Sequence, residues 1–510
     1  MDGVSGEHNI ANLWKDHFAQ TLNSVCDDSV RNEVLCNLGV SSQRTMPIAV
    51  HEVQDAVREL SSGRSPGCDE LYAEHFKYAG TSCVTHLSLC FSMMLAHNFL
   101  PPLLTKVVLN PIVKDKSGNI SDKDNYRPIA IATVSSKILE RVILNRCKSD
   151  LATSDNQFGF KAGHSTDMAI FALKEVVDYY LRNRSSVFVC FLDSRKAFDR
   201  INHWTLFKKL LCRGIESDIV RLLVTWYGSQ KFYVSWGRSV SEGFNVTNGV
   251  RQGGILSPYF FNLYIDGLSA QLNECGVGCR YLGSINNLCY ADDMVLLSPT
   301  SFGLQTMLDI CTEYALKHDI LFNTKKTVCM AFLPNMFKHM ILPDILLGGN
   351  KLAYVDCYKY LGFHVSNANS KIDDLELRNQ YRLLCCRANS LIRKFSLCDY
   401  PVKKYLYNTY CASICNVHLW HSYHATVFKK FVVCFNNAAR MFFGYERFCS
   451  ASNMFVQERI DNFAAVYRKA VYRFLNRLKY SGNRLISSLF YGDIAICSAM
   501  RKTWTNALYI

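Results

Sequence analysis

Apolar residues recur at helical spacing near both ends of the chain and gather into short, uninterrupted runs in its middle. Near the start, Leu13–Val25 and Val50–Leu60 read as helices, and the turn formers Ser61-Ser62-Gly63-Arg64-Ser65-Pro66-Gly67 then make a loop. Gly80 to Thr105 holds no Asp, Glu, Lys or Arg. His86, His97, Asn98 and Pro101-Pro102 interrupt it, so residues 84–98 read as a buried helix rather than a membrane span. Val107–Val113 predicts a strand, and Lys114–Asn125 a polar turn. Pro128 ahead of an apolar run predicts a helix over Ile129–Lys148. Thr166–Arg182 predicts another, with Ala169, Leu173, Val176 and Val177 on one side.

The run Val187-Phe188-Val189-Cys190-Phe191-Leu192 has no polar interruption and ends in Asp193, the pattern of a strand buried on both faces. Helices are expected at His203–Leu211 and Ile219–Tyr227, a hairpin at Lys231–Ser235 and Val240–Val246, and a helix at Asn262–Asn273. Leu288–Tyr290 and Met294–Leu297 are short apolar strands pinched around Ala291-Asp292-Asp293. Leu304–His318 reads as helix, Lys326–Phe332 as strand, Gly348-Gly349-Asn350 as a hairpin turn and Tyr358–Val365 as one extended stretch. Helix dominates after about residue 370. Helices against one face of a small antiparallel sheet make the fold class α+β.

At 510 residues, with 49% hydrophobic positions, the chain has length for about three domains and composition for a real core. The 22 cysteines include no C-x-x-C pair, and no basic-then-apolar leader opens the sequence. Free, mostly buried thiols in an intracellular setting, nuclear or cytoplasmic, are therefore expected. Net charge is +14, and 371–510 alone holds 21 Lys and Arg against 8 Asp and Glu. That basic, aromatic, helical tail reads either as a surface for a phosphate backbone or as an ordinary solvated face.

Two adjacent acids at a hairpin tip, Asp292-Asp293, raise each other's pKa unless a cation sits between them. A solvated turn explains them equally well until Asp193 is added. If the strand Val187–Leu192 pairs beside that hairpin, three carboxylates converge. Such a cluster offers hard oxygen ligands to two Mg2+ ions, with Mn2+ as substitute, and suits in-line phosphoryl transfer. Asp199, past a bend, reads as a local structural acid. Between the acid motifs, Arg251-Gln252-Gly253-Gly254 allows close backbone approach, and Ser257-Pro258 starts a helix. Cys411, Cys415, His418 and His421 fall on one broad face if their segment is a helix. A single straight helix rarely closes a zinc tetrahedron, so a packed helix is expected there.

An ordered set of motifs spans roughly residues 55–365: Ser65-Pro66-Gly67-Cys68-Asp69, Asn125-Tyr126-Arg127-Pro128-Ile129, Gln157-Phe158-Gly159-Phe160 and Gly163-His164-Ser165-Thr166, then Phe191-Leu192-Asp193, Lys196-Ala197-Phe198-Asp199, the Arg251–Pro258 segment, Tyr290–Asp293, Phe322-Asn323 with Lys326-Thr327, and Tyr360-Leu361-Gly362. Together they resemble the reverse transcriptase of non-LTR, LINE-like (jockey/CR1-like) retrotransposons. The resemblance implies a right-hand polymerase with an antiparallel palm sheet, a helical fingers extension and a helical thumb or C-terminal region. The implied domains are an N-terminal helical extension leading into the fingers over 1–105, fingers over 106–185, palm over 186–365, and a basic helical thumb and C-terminal domain over 366–510.

By the same resemblance Asp193, Asp292 and Asp293 are the catalytic, metal-holding acids, and Lys326 the lysine that protonates pyrophosphate. Phe198 excludes a ribose 2′-hydroxyl, Gln252 and Gly253 line the incoming nucleotide, and Tyr360-Leu361-Gly362 positions the primer. Arg127 and Lys114 meet the triphosphate, or else are surface loop charges. The implied partners are an RNA template, a DNA primer or target, and dNTPs, with no membrane. Departures from the family pattern are Cys68 where proline is common, Glu70 where glycine is common, and Ser194-Arg195 after the first acid. Residues 1–55 show no nuclease pattern and the tail no Cys-Cys-His-Cys knuckle, so the chain reads as a polymerase fragment, a truncated element copy, or a product that borrows its nicking activity from a separate endonuclease. Two rival readings stay open: a group II intron-type reverse transcriptase and maturase, and a catalytically decayed nucleic-acid-binding protein.

Overall fold

The computed structural model describes residues 4–25, 29–40, 46–337, 340–367 and 371–509. The chain divides into two compact units: Met1–Ser154 with Ser194–Ala270 and Cys311–Phe322, and Asp155–Asp193 with Gln271–Ile310 and Asn323–Ile510.

In the first unit, Lys106–Val113 pairs antiparallel with Tyr126–Ala132 and parallel with Lys231–Trp236, which in turn pairs with Ser239–Val240 and Phe244–Asn245. The helix Glu7–Leu22 lies on this sheet because Ala11, Trp14, Phe18 and Leu22 share one face. Trp14, Phe18 and Leu22 pack with Val107, Leu109, Tyr126, Ala130, Phe232 and Val234. Trp14 is fully buried, a contribution of roughly 3 kcal/mol.

Two expectations fail in this unit, and one helix goes unpredicted. Ile129–Lys148 is not one helix: Tyr126–Ala132 is a strand with alternating burial, and the helix starts after Thr133, at Val134–Arg146. Pro128 sits on an edge strand opposite Pro111, where its missing N–H costs the sheet little. The helix at 84–98 starts earlier, at Gly80–His97, and buries one face only, leaving Leu89 and Met93 about 60% exposed. The helix Arg31–Val40 was not foreseen. Its polar positions leave no clear apolar stripe.

The second unit is built on a five-stranded sheet in the order Ala353–Tyr354, Val328–Phe332, Val187–Leu192, Asp293–Ser298, Asn287–Tyr290. All six residues of the central strand are buried, which is why it reads as unbroken apolar sequence. The sheet is antiparallel except where Ala353–Tyr354 runs parallel to Val328–Phe332. The helix Thr166–Arg182, buried from Asp167 to Val177, packs with it in one core. Tyr358–Val365 is not one extended stretch. Cys357–Tyr360 and Phe363–Ser366 form a hairpin, turned by Leu361 (φ 47°) and Gly362 (φ 84°).

From Asp374 onward the described chain is helical, around buried Tyr407, Trp420, Phe435, Phe474 and Trp504. Charged pairs inside this unit tie the tail to Thr166–Arg182. Arg477 and His418 hold the Asp167 carboxyl below its ordinary range against the opposing effect of burial. Lys174 Nζ meets Asp373 at 2.5 Å. Cys411, Cys415, His418 and His421 do not share a helix face: the helix ends at Tyr410, and Asn416 turns left-handed before the short Val417–Leu419 turn. Both histidines face acids instead, His418 with Asp167 and His421 with Asp373. The described cysteines are free thiols, and Cys26 lies outside the described residues. Among the described residues no helix is long and apolar enough to cross a membrane.

Candidate active site

Strand register brings the acids of the second unit together. Leu192 pairs with Met294 in the antiparallel ladder, so Asp193 and Asp293 occupy its next row, at the end of both strands. Asp292 precedes Asp293 in the tight turn after Tyr290, in which Ala291 takes a left-handed φ of 54°.

Gln157 holds that turn: its side-chain oxygen accepts from Ala291 N at 2.9 Å and from Gly159 N at 2.8 Å. Phe158 N donates to Cys289 O at 2.7 Å, laying this segment along the hairpin edge. A Cβ on Gly159 would lie 2.4 Å from Ala291 N, so the approach needs glycine. On the other side, Asp193 N donates to Thr327 Oγ1 at 3.2 Å, and Asp193 O accepts from Asn323 N at 2.8 Å. Lys326 is exposed in that same turn, just before Val328–Phe332 rather than in the strand.

Burial raises the Asp293 carboxyl to about 6, and the neighbouring negative charges of Asp292 and then Asp193 add to the rise. Tyr358, stacked on Phe191 at 4.4 Å, is pushed up to about 12 by burial and by Asp293 and Asp193. These are hard oxygen donors whose mutual repulsion a divalent cation would relieve. Among the described residues no group of three or more His, Cys, Asp or Glu side chains is placed to hold a metal ion by itself. Mg2+ fits such a partial set, because it retains waters and takes phosphate oxygens to complete its shell. Tyr360 is 2% exposed, with its ring 5.6 Å from Phe191, so its side chain belongs to the core while Gly362 lies at the surface.

In the first unit, the 3-10 turn Ala197–Arg200 presents Phe198 stacked on Phe261, ring centroids 4.7 Å apart. Asp199 beside it is buried and its carboxyl is raised to about 6 by desolvation, against the lowering effects of Gln252, Lys196 and Lys114. Gln252 Nε2 donates to Asp199 Oδ1 at 2.6 Å, and Gln252 O accepts from Ala130 N at 2.7 Å. Gly253 has φ 116°, and a Cβ there would sit 3.0 Å from Ala130 O. Lys114 donates to Asp124 O at 2.7 Å, and its ammonium pKa is lowered by burial and by the Arg127 charge. Arg127 is exposed on its strand. Lys196 meets Asp124 at 2.9 Å, so this corner is rich in cations.

Sequence reasoning missed Glu140. It is 1% exposed, on the helix Val134–Arg146, and it accepts from the Arg251 guanidinium and from Ile255 N and Leu256 N. The available signal was an acid among the apolar positions Ile138, Leu139, Val142 and Ile143.

Residues 113–365 match the family model described as Reverse transcriptase (RNA-dependent DNA polymerase). The chain is similar to the RNA-directed DNA polymerase from mobile element jockey of Drosophila funebris, 26% identical over 326 residues, covering 62% of this chain and 35% of that protein. It is 27% identical over 329 residues to the probable RNA-directed DNA polymerase from transposon BS of Drosophila melanogaster, covering 62% and 35%. To the probable RNA-directed DNA polymerase from transposon X-element of the same species it is 25% identical over 482 residues, covering 89% and 50%. The chain thus spans 35% to 50% of the length of these relatives.

Proposed function

We propose that the chain is an RNA-directed DNA polymerase of the kind found in non-LTR, LINE-like retrotransposons, a nucleotidyltransferase adding dNTPs to a primer 3′-hydroxyl; the reverse transcriptase family match over residues 113–365 and the similarity to the jockey and X-element polymerases support it. One observation carries the proposal: Asp193 and Asp293 end neighbouring strands in the same ladder row, with Asp292 adjacent.

In this reading Asp193, Asp292 and Asp293 would hold the divalent cations, two Mg2+ or Mn2+, which would lower the 3′-hydroxyl pKa and neutralise the leaving pyrophosphate. The chain's own groups orient the reactants. Gln157 and Gly159 fix the turn that presents Asp292 and Asp293. The Asn323–Thr327 turn anchors the Asp193 backbone and presents Lys326 as the proton donor to pyrophosphate. Phe198 excludes the 2′-hydroxyl sterically. Gln252 and Gly253 line the nucleotide, and Lys114 and Arg127 receive the triphosphate. The turn at Leu361-Gly362 supports the primer strand, with buried Tyr360 fixing its base.

The right-hand description follows from the same proposal: fingers over 106–185 entered through 1–105, palm over 186–365, and thumb and C-terminal domain over 366–510. The basic tail then contacts the template–primer backbone in a salt-sensitive way. RNA template, DNA primer or target and dNTPs are the substrates. The test is primer extension on RNA and DNA templates with Mg2+. Incorporation of dNTPs on RNA supports the reading, whereas template binding without extension supports a decayed binding protein.

A further inference from the structure

The segment Arg251-Gln252-Gly253-Gly254-Ile255-Leu256 makes a loop between the strand Phe244–Asn245 and the helix Ser257–Glu274. Its shape is fixed from three sides. Asp199 accepts from the Gln252 amide, and Ala130 N donates to the Gln252 carbonyl. The third anchor is Glu140. One of its carboxylate oxygens accepts from the Arg251 guanidinium, and the other accepts from Ile255 N and, at 3.3 Å, from Leu256 N. Both side chains of this ion pair are nearly fully buried, 3% exposed for Arg251 and 1% for Glu140. The guanidinium also lies 5.1 Å from the Trp226 ring centroid. Those two backbone N–H groups stand just ahead of an 18-residue helix, where a negative charge is favoured by the helix dipole.

A buried ion pair is rarely the most stable filling for such a place. What a pair of apolar residues could not supply is an acceptor for two loop N–H groups. We propose that Glu140 is a positioning residue for nucleotide binding: through Ile255 N, Leu256 N and Arg251 it holds the loop in the shape that presents Gln252 and Gly253 to the incoming dNTP. This rests on the polymerase reading above. The role is geometric, so it should act on the dNTP KM and leave the carboxylate chemistry in place.

Two double variants separate the acceptor from the charge. E140Q/R251M removes both charges but keeps a carbonyl oxygen for the loop N–H groups and a thioether against Trp226. E140L/R251M removes the acceptor as well. In steady-state extension on an RNA template with excess primer–template, E140Q/R251M should keep its dNTP KM within about threefold of the unaltered chain. E140L/R251M should raise it roughly ten- to hundredfold, with little change in kcat or in primer–template affinity. Hydrogen exchange gives a readout that needs no activity: peptides covering 251–257 should exchange faster in E140L/R251M and stay protected in E140Q/R251M. Equal KM and equal protection in the two double variants would overturn the proposal. If the unaltered chain does not extend primers at all, the polymerase reading fails, and the exchange experiment still decides whether Glu140 holds the loop. A fall in kcat with unchanged dNTP KM would also overturn the positioning role.

Discussion

Asp193 directly follows Leu192 and Asp293 directly precedes Met294, the last pair of the ladder between their strands. Residues 100 apart in sequence thereby share one sheet edge, and nothing but the antiparallel register is needed to bring them there.

Replacing Asp193 or Asp292 with Asn keeps volume and removes a charge. Each change should lower RNA-templated extension by roughly three or more orders of magnitude, while primer–template binding and the thermal unfolding midpoint stay near those of the unaltered chain. Extension at a comparable rate by either variant would separate these acids from the chemistry.

Gly159→Ala places a methyl group 2.4 Å from the backbone nitrogen of Ala291, which has no flexible side chain to yield. The expected cost is on the order of 2 kcal/mol of stability, read by urea denaturation, with reduced extension because the turn bearing Asp292 and Asp293 shifts. An unaltered denaturation midpoint together with full activity would contradict the close approach.

Phe198 stacks on Phe261 and is half-buried, which leaves it rigid. Phe198→Val should admit ribonucleotides, lowering the dNTP-over-rNTP preference by roughly tenfold or more in parallel single-nucleotide extensions. Unchanged discrimination would remove its steric role.

Glu175 supplies a pH signature. Burial raises its carboxyl from 4.5 to about 7, and Ser498 Oγ donates to it at 2.8 Å. Because the folded state holds this proton more tightly, its contribution to stability is complete below about 4.5 and is lost as pH rises through about 7. Glu175→Gln keeps the acceptor for Ser498 and removes the titration. At pH 8 the variant should be more stable by up to about 3 kcal/mol, with a gain under about 1 kcal/mol at pH 5. Denaturation curves at the two pH values check this, and an equal effect at both would refute it.

The strands were legible wherever burial was two-sided: Val187–Leu192 reads directly as an apolar run, and the paired acids mark the turn after Tyr290. Tyr126–Ala132 was not legible, because a proline at an edge strand and a proline before a helix look alike in sequence. The Cys411–His421 segment has helical spacing, but the helix ends at Tyr410 and acids from distant segments take the histidines. Asp193, Asp292 and Asp293 announced themselves by position at strand ends. Glu140 and the clamp by Gln157 did not, since both act by accepting backbone N–H groups from segments more than 100 residues away.

Mn2+ binding measured by electron paramagnetic resonance, with RNA template, primer and a non-hydrolysable dNTP analogue present, reads the carboxylate cluster most directly. The account predicts two spin-coupled Mn2+ ions per chain, lost together in D193N and in D292N. Two coupled ions that persist unchanged in both variants, or none in a chain that extends primers, would contradict it.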